Sequence, residues 1–501
     1  MADVRLSSLA QLIGARIHEL TSNSDPWIKG VSSDSRNPVA GGLFVCMPSA
    51  SRDTHEYLPE MKKAGMAAAI VHNKSALKYA QSLGMPAILI EPTGSRFNFC
   101  LGRICREVLG DPTSKMRVIG VTGTNGKTTT AWVIRNALVA MGKKAAYLGT
   151  LGFQSDEKMI ELSNTTPFPV ELWSWLDQAA KAGCSEVVME VSSHALFERR
   201  LAGVNFDVGI FTNLTQDHLD FHGTMEEYAA AKKLFFTEYA AASGRSFTGV
   251  LNLSDPVGAA WAKELPCRVL TFGSAFAQLQ TEAEVVKVDG IQLNAQYEKQ
   301  KASGNLRLGG LFNVENASSA LAGLVALGFS LKEAMKSLED VNAVPGRFEA
   351  IRNGHGIGVI VDYAHTPDAL EQLLKSARGL NPKKIITVFG CGGDRDRSKR
   401  PKMAKVVSEN SEVAVITSDN PRTEDPQAIL DDVQAGVVPG ADSVTIIDRR
   451  EAINHAINAA EEGDFVVIAG KGHEDYQIIG RTKHPMDDRK MAREALDARK
   501  K

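Results

Sequence analysis

The sequence has no apolar run long enough to cross a bilayer, and it has no surplus of charge of either sign. A membrane-spanning helix requires about 20 consecutive apolar residues, whereas 57 basic and 59 acidic residues are distributed along this chain. The net charge of −2 provides no general field that would attract nucleic acid or an anionic membrane. We therefore expect neither partner, and any anionic ligand must be held by a local site.

Cysteine is also scarce, and the six residues, at positions 46, 100, 105, 184, 267 and 391, include no C-x-x-C pair. Most of them lie among apolar residues, as reduced core thiols do. The N-terminal segment has helical periodicity with charges at Arg5, Arg16 and Glu19, so we do not expect it to act as an export signal. These features predict a cytoplasmic protein.

The length of 501 residues suggests about three domains at roughly 100–200 residues each. Clusters of helix- and strand-breaking residues at 109–114 and 341–347 divide the chain into predicted domains 1–110, 111–342 and 343–501. Apolar strands alternate with helical stretches in each of them, which predicts an α/β fold. We expect a small N-terminal α/β domain, a central domain with a mostly parallel sheet, and a C-terminal Rossmann-like domain.

The central domain begins with a strand, a glycine-rich loop and a helix. The strand is predicted over 117–121, the helix over 130–141, and the loop reads Thr122-Gly123-Thr124-Asn125-Gly126-Lys127-Thr128-Thr129. Such a loop closes backbone N–H groups on phosphate oxygens, while Lys127 supplies a cation and Thr128 can hold magnesium. The loop departs from the strict pattern because Val121 stands where glycine is expected. A turn that only joined a strand to a helix would need neither Lys127 nor Thr128.

Polar residues also follow two later strands of the central domain. Glu190 lies inside the apolar segment 187–191, and His218 follows the segment 206–211. Together with Thr128, these side chains are candidates for a magnesium site, since a carboxylate in an apolar strand is costly to bury without a partner. Further along, the lysine pair Lys232-Lys233 has a helical pattern that on its own indicates a solvated face.

In the C-terminal domain four predicted strands, 357–361, 385–389, 413–417 and 465–469, each run into a polar or glycine-bearing loop. Because ligands of open α/β sheets bind at the carboxyl ends of strands, these loops are the predicted site of that domain.

The order of these motifs along nearly the whole chain resembles that of the Mur ligases. The motifs that carry the resemblance are TGTNGKTT, NTTP, MEVSSHAL, NLTQDHLDFH, AAAK, NVEN, PGRFE, DYAH, GCGGDRDRSKRP, DNPR and GKGHE. The similarity is greatest to the branch of the family that adds meso-2,6-diaminopimelate to UDP-N-acetylmuramoyl-L-alanyl-D-glutamate.

The resemblance implies a role for each of several residue groups. Nucleotide binding is implied for Gly123, Thr124, Asn125, Gly126, Lys127, Thr128, Thr129, Asn316, Arg347 and Asp362. Binding of the UDP-muramoyl dipeptide is implied for Ser33, Ser35, Thr165, Thr166, Ser192, Glu198 and Arg200. Diaminopimelate binding is implied for Arg395, Asp419, Asn420, Pro421, Arg422, Gly470 and Glu474. Catalysis is implied for Lys127, Glu190, His218 and Lys232.

Lys232 matches the lysine that the family carbamylates with carbon dioxide, and such an anion would complete magnesium coordination by Thr128, Glu190 and His218. This sequence departs from the family pattern at Glu198, where glutamine is usual, and at Ser51-Arg52-Asp53-Thr54, which replaces a more glycine-rich loop. Both departures concern contacts with the UDP-sugar.

The implied reaction transfers the γ-phosphoryl group of ATP to the D-glutamyl side-chain carboxylate, and the amine of the amino acid then attacks the acyl phosphate. Closure of the third domain would position the amine and exclude water. Two alternatives stay open: the same ligase with L-lysine or another diamino acid as acceptor, and a nucleotide-dependent binding protein that has lost ligation. The oligomeric state is left open, with a monomer expected.

Overall fold

The computed structural model describes residues 4–14, 25–49 and 52–499 of the chain. They form two compact units. Unit 1 comprises Met1–Gln280 with Ser319–Ser330, and unit 2 comprises Thr281–Ser318 with Leu331–Lys501. Both units combine helices with mostly parallel sheets, which confirms the predicted α/β class.

The first part of unit 1 is built on a small parallel sheet. Its four strands, in spatial order, are β3 (Val31–Ser32), β4 (Leu43–Val45), β5 (Ala68–Val71) and β6 (Ala87–Leu89). An antiparallel pair, β1 (Val4–Arg5) and β2 (Trp27–Ile28), precedes it. The helices are α1 (Leu6–Leu12), α2 (Leu58–Lys63), α3 (Lys74–Ser82) and α4 (Arg96–Leu109).

The second part of unit 1 contains the central sheet. In spatial order its strands are β13 (Arg268–Phe272), β12 (Thr248–Asn252), β11 (Val208–Phe211), β7 (Arg117–Thr122), β10 (Glu186–Glu190), β8 (Ala145–Gly149) and β9 (Gly152–Gln154). All neighbouring pairs are parallel except β8 with β9. The helices are α5 (Lys127–Ala140), α6 (Pro169–Lys181), α7 (Ser193–Phe197), α8 (Leu219–His222), α9 (Met225–Lys233), α10 (Ala240–Ala242) and α11 (Pro256–Glu264).

The strands at the middle of this sheet are buried along their whole length. Strand β10 exposes no side chain, and β7 exposes only its first residue to a small extent. A parallel sheet is covered by helices on both faces, so its strands are apolar throughout and do not alternate. The carboxylate of Glu190, at the end of β10, is therefore an exception that requires hydrogen-bond partners.

Unit 2 contains a second open sheet. In spatial order its strands are β17 (Glu349–Ala350), β18 (Gly358–Asp362), β22 (Phe465–Ala469), β19 (Ile385–Phe389), β20 (Val413–Ile416) and β21 (Asp442–Thr445). Only β17 is antiparallel to its neighbour. The helices after β17 are α14 (Pro367–Arg378), α15 (Lys399–Asn410), α16 (Pro426–Gln434), α17 (Arg449–Ala459) and α18 (Asp488–Ala498).

Five further strands and two further α-helices are present in the described residues. Strand β14 (Leu279–Val286) precedes the antiparallel hairpin β15 (Ile291–Tyr297) and β16 (Gln300–Leu306), and β23 (Tyr476–Ile479) pairs with β24 (Thr482–Pro485). The helices are α12 (Phe312–Ala326) and α13 (Leu331–Glu339).

A buried ion pair ties two loops of unit 2 together. Arg449, at the start of α17, and Asp488, at the start of α18, are both inaccessible to solvent. Their side chains form two hydrogen bonds of 2.8 and 2.7 Å. The guanidinium also donates to the carbonyls of Ser418 and Ala469, which follow β20 and end β22. Arg449 thus fixes the starting points of two loops that the sequence predicts to bind a ligand.

Most strands lie within one or two residues of their predicted positions, and α5 begins three residues earlier than predicted. The predicted boundaries 1–110, 111–342 and 343–501 stay predictions, and the small sheet (31–89) and the unit 2 sheet (349–469) fall within the first and third of them. Within the described residues, no helix combines the length and the apolar character needed to span a bilayer. The six cysteines are free, and five are buried.

We predict that Asp488→Ala lowers the free energy of unfolding by about 3–5 kcal/mol, because it leaves the Arg449 charge buried and unpaired. Glu494→Ala is the matched control. Glu494 lies on the same helix as Asp488 and pairs with Arg450. Both members of that pair are more than half exposed, so we expect the free energy of unfolding to fall by about 1 kcal/mol or less. Urea denaturation measures both values, and equal losses would contradict the role assigned to Arg449.

Candidate active site

The phosphate loop follows β7, the strand at which the strand order of the central sheet reverses. Strand β7 is flanked by β10 on one side and β11 on the other, and α/β sheets bind ligands at such a switch point. Gly123 and Gly126 adopt φ values of +148° and +83°. A Cβ at position 123 would lie 1.9 Å from Thr212 Oγ1, so only glycine fits. Since α5 begins at Lys127, the N–H groups of its first turn, including those of Thr128 and Thr129, adjoin the loop.

The segment after β11 braces this loop. The N–H of Thr124 donates to the carbonyl of Asn213 (2.9 Å), and the N–H of Asn125 donates to Asn213 Oδ1 (2.9 Å). Thr212 Oγ1 donates to the Asn125 carbonyl at 2.6 Å, and the N–H of Thr215 donates to Thr124 Oγ1 at 3.0 Å. The loop conformation is therefore set by the protein itself. The sequence motif had drawn attention to His218 in this segment but not to Asn213.

Glu190 is the centre of a buried hydrogen-bond network. Its Oε2 accepts from Thr128 Oγ1 at 3.0 Å, which links strand β10 to the first turn of α5. Thr150 donates to both carboxylate oxygens, through its N–H (2.8 Å) and its hydroxyl (3.1 Å). Tyr147 Oη donates to Oε1 at 2.5 Å. A carboxylate beside a threonine hydroxyl is the type of donor set that magnesium prefers, so these residues fit the metal that the sequence predicts. Tyr147 and Thr150 were not predicted.

Lys127 and Lys232 both contact the backbone of the phosphate loop. Lys127 Nζ donates to the carbonyls of Gly123 (3.0 Å) and Thr124 (2.8 Å), and Lys232 Nζ donates to the same Gly123 carbonyl at 2.8 Å. Lys232 is 1% exposed, so the solvated face indicated by the lysine pair is wrong for this residue. Burial, reinforced by the nearby Lys127 charge, lowers the pKa of Lys232 well below its usual value.

Three histidines of the central domain lie close to one another. The His194 ring is 4.8 Å from that of His218 and 5.5 Å from that of His222. Burial lowers the pKa of all three. The positive charges of Lys127 and Lys232 further lower the pKa of His218, which shows that it shares their electrostatic environment. His218 also adopts φ +52° and its Nε2 is 3.4 Å from Asp217.

Five of the seven residues implied in dipeptide binding form one connected group, and Ser33 and Ser35 lie apart from it. Thr166 Oγ1 donates to the backbone carbonyl of Glu190 (2.8 Å) and accepts from the N–H of Ser192 (3.1 Å). Arg200 donates to the Thr166 carbonyl at 3.0 Å and to Glu198 Oε2 at 2.6 Å.

Two further contacts complete this group. Thr165 Oγ1 lies 3.2 Å from Thr150 Oγ1, and the Arg200 guanidinium lies 3.9 Å from the centre of the Phe168 ring. These contacts connect Thr165, Thr166, Ser192 and Arg200 to Thr150 and Glu190, and they pair Arg200 with Glu198, where this sequence departs from the family pattern.

Ser33 and Ser35 lie on the turn that follows β3 in the small sheet. Of the neighbouring loop predicted to contact the UDP-sugar, Ser51 lies outside the described residues. Asp53, His55 and His72 lie together there. His55 Nε2 accepts from the N–H of His72, so its Nδ1 carries the proton that is donated to Asp53. Both nitrogens of His55 are thus used in protein hydrogen bonds, and the cluster anchors the loop.

In unit 2, Asp362 lies at the end of β18, near the charge of Arg347. The Asp362 carboxylate accepts from the N–H groups of Phe348 (2.7 Å) and Ala364 (2.8 Å). Burial raises its pKa, and the nearby Arg347 charge opposes that rise. Arg347 lies 4.8 Å from the centre of the Tyr363 ring, and its buried Nε has no hydrogen-bond partner among the described residues. Such a donor is available to a ligand.

Asn316 is buried on α12, where its Nδ2 donates to Asn313 Oδ1 at 2.8 Å.

The Asp419–Arg422 loop is held in place by the hairpin β23–β24 and by Lys471. The N–H of Arg422 donates to the Ile478 carbonyl (3.0 Å), and its carbonyl accepts from Gly480 (2.7 Å). Asn420 donates to Glu474 Oε2 (3.0 Å), and the fully buried Lys471 donates to both Asn420 Oδ1 (3.2 Å) and Glu474 Oε2 (3.0 Å). Lys471 was not predicted as a site residue, although it lies in a quoted motif.

The guanidinium of Arg422 is half-buried and donates to the Gly393 carbonyl at 2.8 Å. No carboxylate pairs with it among the described residues. Asp419, Asn420 and Pro421 are buried beside it, Gly470 follows β22, and Arg395 is exposed on the neighbouring loop. The sheet thus brings the predicted residues Arg395, Asp419, Asn420, Pro421, Arg422, Gly470 and Glu474 to one edge, as parallel strands require.

We predict that the protein loses stability in acid partly through His222. Its pKa is lowered to about 4, mainly by burial, whereas an unfolded histidine has a pKa of about 6.5. The neutral form of His222 therefore stabilises the folded state. This contribution to the free energy of unfolding is complete above about pH 6.5 and is lost as the pH falls toward about 4. His222→Gln should show a smaller drop in Tm between about pH 7 and about pH 5 than the wild type. His455→Gln, which replaces an exposed histidine, is the control. If the Tm of His222→Gln drops as much as that of the wild type, this prediction is wrong.

Known proteins are similar to this one over nearly its whole length. Residues 121–324 match the family profile "Mur ligase middle domain", and residues 346–472 match "Mur ligase, glutamate ligase domain". The UDP-N-acetylmuramoyl-L-alanyl-D-glutamate–2,6-diaminopimelate ligase of Geobacillus kaustophilus is 41% identical over 99% of both chains. The ligase of the same name from Gloeobacter violaceus is 42% identical, covering 97% of this chain and 99% of its own.

Solved structures agree. A structure with that same ligase name matches with a TM-score of 0.67 at 32% identity over 99% of both chains. MurF from Acinetobacter baumannii, at 17% identity and a TM-score of 0.66, shares the fold. The family and the fold class predicted from the sequence are thereby confirmed: the chain belongs to the Mur ligase family.

Proposed function

We propose that the chain is the ATP-dependent ligase that joins meso-2,6-diaminopimelate to the D-glutamyl side-chain carboxylate of UDP-N-acetylmuramoyl-L-alanyl-D-glutamate, a step of peptidoglycan precursor synthesis in the cytoplasm. One observation carries the proposal. Hydrogen bonds run from Arg200 through Thr166 and Glu190 to Thr128 of the phosphate loop. On this ground we assign the substrate carboxylate to the space between Arg200 and the nucleotide phosphates. The names of the relatives support the same two substrates, the UDP-muramoyl dipeptide and diaminopimelate.

The reaction has two steps. A carboxylate oxygen of the D-glutamyl residue attacks the γ-phosphorus of ATP, ADP leaves, and an acyl phosphate forms. The neutral amine of the amino acid then attacks the acyl carbon, the carbon–oxygen bond to phosphate breaks, and the amine loses a proton to give the amide. Lys127 and the N–H groups of the loop stabilise the phosphoryl charge. No covalent bond to the protein is required.

Thr128 and Glu190 would hold magnesium, with His218 and Lys232 as the further predicted members of the site. Magnesium, when bound, neutralises charge on the phosphates. The protein's own contribution is to place one carboxylate at the phosphate loop and to hold it there with donors from β8 and the following turn.

Lys232 is suited to the predicted carbamate. Carbon dioxide reacts with a neutral amine, which forms a nitrogen–carbon bond and releases one proton. Burial and the Lys127 charge both favour the neutral amine, so a position that disfavours the ammonium form promotes this reaction. The carbamate is an anion, and an anion near Lys127 would replace like-charge repulsion with attraction.

Arg422 is the residue proposed to select diaminopimelate over lysine. The two amino acids differ by a second carboxylate, which a guanidinium binds through two parallel hydrogen bonds. Lysine would leave the half-buried Arg422 without a carboxylate partner.

The decisive experiment measures phosphate release with the UDP-muramoyl dipeptide and a panel of amino acids. The wild type should prefer meso-diaminopimelate to L-lysine, and Arg422→Ala should reduce use of diaminopimelate roughly thirtyfold or more, because it removes a paired arginine. Arg397→Ala is the matched control. Arg397 is an exposed arginine on the loop that precedes Arg422, and it pairs with Glu424. This variant should still prefer meso-diaminopimelate to L-lysine.

Lys127→Ala supplies the inactive background for this assay. Equal use of L-lysine by the wild type, or an unchanged preference in Arg422→Ala, would show that the assigned acceptor is wrong. Turnover near the wild-type rate in Lys127→Ala would overturn the role of the phosphate loop.

We also predict that Lys232→Ala loses most activity and that a small carboxylate such as acetate partly restores it. Lys233→Ala is the control, since the adjacent lysine forms an ion pair with Glu264 at the surface. Enzyme supplied with ¹³C-bicarbonate should give a carbamate carbon signal by NMR that Lys232→Ala lacks. Active wild-type enzyme with no such signal would exclude the carbamate.

A further inference from the structure

Tyr147 is a fully buried tyrosine in β8, the strand that pairs with β10 next to Glu190. Its hydroxyl contacts Glu190 Oε1 at 2.5 Å. The ring packs edge-on against Trp132 of α5, with 5.6 Å between the ring centres. Tyr147 thus lies between the carboxylate and the helix that begins at the phosphate loop.

The direction of the hydrogen bond is fixed by its surroundings. An ionised carboxylate only accepts hydrogen bonds, so the phenol must donate to Glu190. The phenol oxygen in turn lies 3.5 Å from the N–H of Leu151, which donates to it. Hydrogen bonds to a charged acceptor are roughly twice as strong as those between neutral groups.

The two oxygens of Glu190 are held differently. Oε1 accepts from the Tyr147 hydroxyl and from the rigid backbone N–H of Thr150. Oε2 accepts only from hydroxyls, those of Thr128 and Thr150, among the described residues. A hydroxyl can turn its hydrogen away, whereas a backbone N–H cannot. Oε2, which faces the phosphate loop, is therefore the oxygen that can exchange a hydrogen bond for a cation.

Gly149 makes room for this arrangement. A Cβ at position 149 would lie 2.3 Å from Glu190 Oε1 and 2.5 Å from the Tyr147 hydroxyl oxygen. Both groups therefore occupy the space that any other residue would fill, and the close phenol–carboxylate contact depends on glycine.

We propose that Tyr147 is a positioning residue that locks Glu190 with Oε2 turned toward Thr128, so that the divalent-cation site is formed before the cation binds. The inference rests on the proposed function, because it assigns Glu190 to the metal. Partners that orient a metal ligand typically contribute 10- to 100-fold to metal affinity. Tyr147→Phe, which keeps the ring and removes only the hydroxyl, should weaken the cation site by about tenfold or more.

The test measures binding of Mn²⁺ by electron paramagnetic resonance in the presence of a non-hydrolysable ATP analogue, alongside the Mg²⁺ dependence of phosphate release. Tyr147→Phe should raise the Kd for Mn²⁺ about tenfold, and a high Mg²⁺ concentration should restore most of kcat. Tyr239→Phe is the matched control. Its buried hydroxyl donates to the backbone carbonyl of Leu196 in the same unit, so its loss should leave the Mn²⁺ affinity unchanged.

A second variant keeps the proposal testable if Tyr147→Phe folds poorly. Gly149→Ala retains the phenol but displaces it from Glu190, and it should weaken Mn²⁺ binding as well. An Mn²⁺ affinity within about twofold of the wild type in either folded variant would overturn the positioning role. If the wild type itself shows no cation-dependent nucleotide binding, the proposed function fails instead, so the two failures are distinguishable.

Discussion

The structure of unit 1 depends on one constraint, which is that a carboxylate is buried at the end of an apolar parallel strand. Glu190 has no exposed surface, and an isolated buried carboxylate would be strongly destabilising. Four hydrogen bonds from Tyr147, Thr128 and Thr150 offset that cost. These donors come from β8, the turn after it and the first turn of α5, so satisfying one side chain aligns three segments at the phosphate loop.

Buried charge has a different role in each unit. In unit 1, Lys232 lies near Lys127 and not beside a carboxylate, and burial together with the Lys127 charge lowers its pKa, which favours the neutral amine. In unit 2, Arg449 is completely paired with Asp488 and holds the backbone after β20 and at the end of β22. The first arrangement favours a neutral lysine amine. The second holds the starting points of the loops that carry Arg422 and Glu474.

Much of this was accessible from the sequence, because a glycine loop between a strand and a helix has few structural solutions. Periodicity located the strands, and the motif identified Lys127 and Thr128. Lys232 was different: helical patterning assigned its side chain to solvent, and only the packing of α9 against the loop buries it. Tyr147 and Arg449 gave no signal, since a tyrosine in an apolar strand or an arginine at a helix start is ordinary until its long-range partner is known. The roles of Ser33 and Ser35 stay predictions.

Activation of a carboxylate by phosphorylation in unit 1 can be followed with UDP-muramoyl dipeptide that carries ¹⁸O in both oxygens of the D-glutamyl side-chain carboxylate. We expect one labelled oxygen to be transferred to the released phosphate and the other to stay in the amide. Amide formation with unlabelled phosphate, or with the label in AMP, would contradict this expectation.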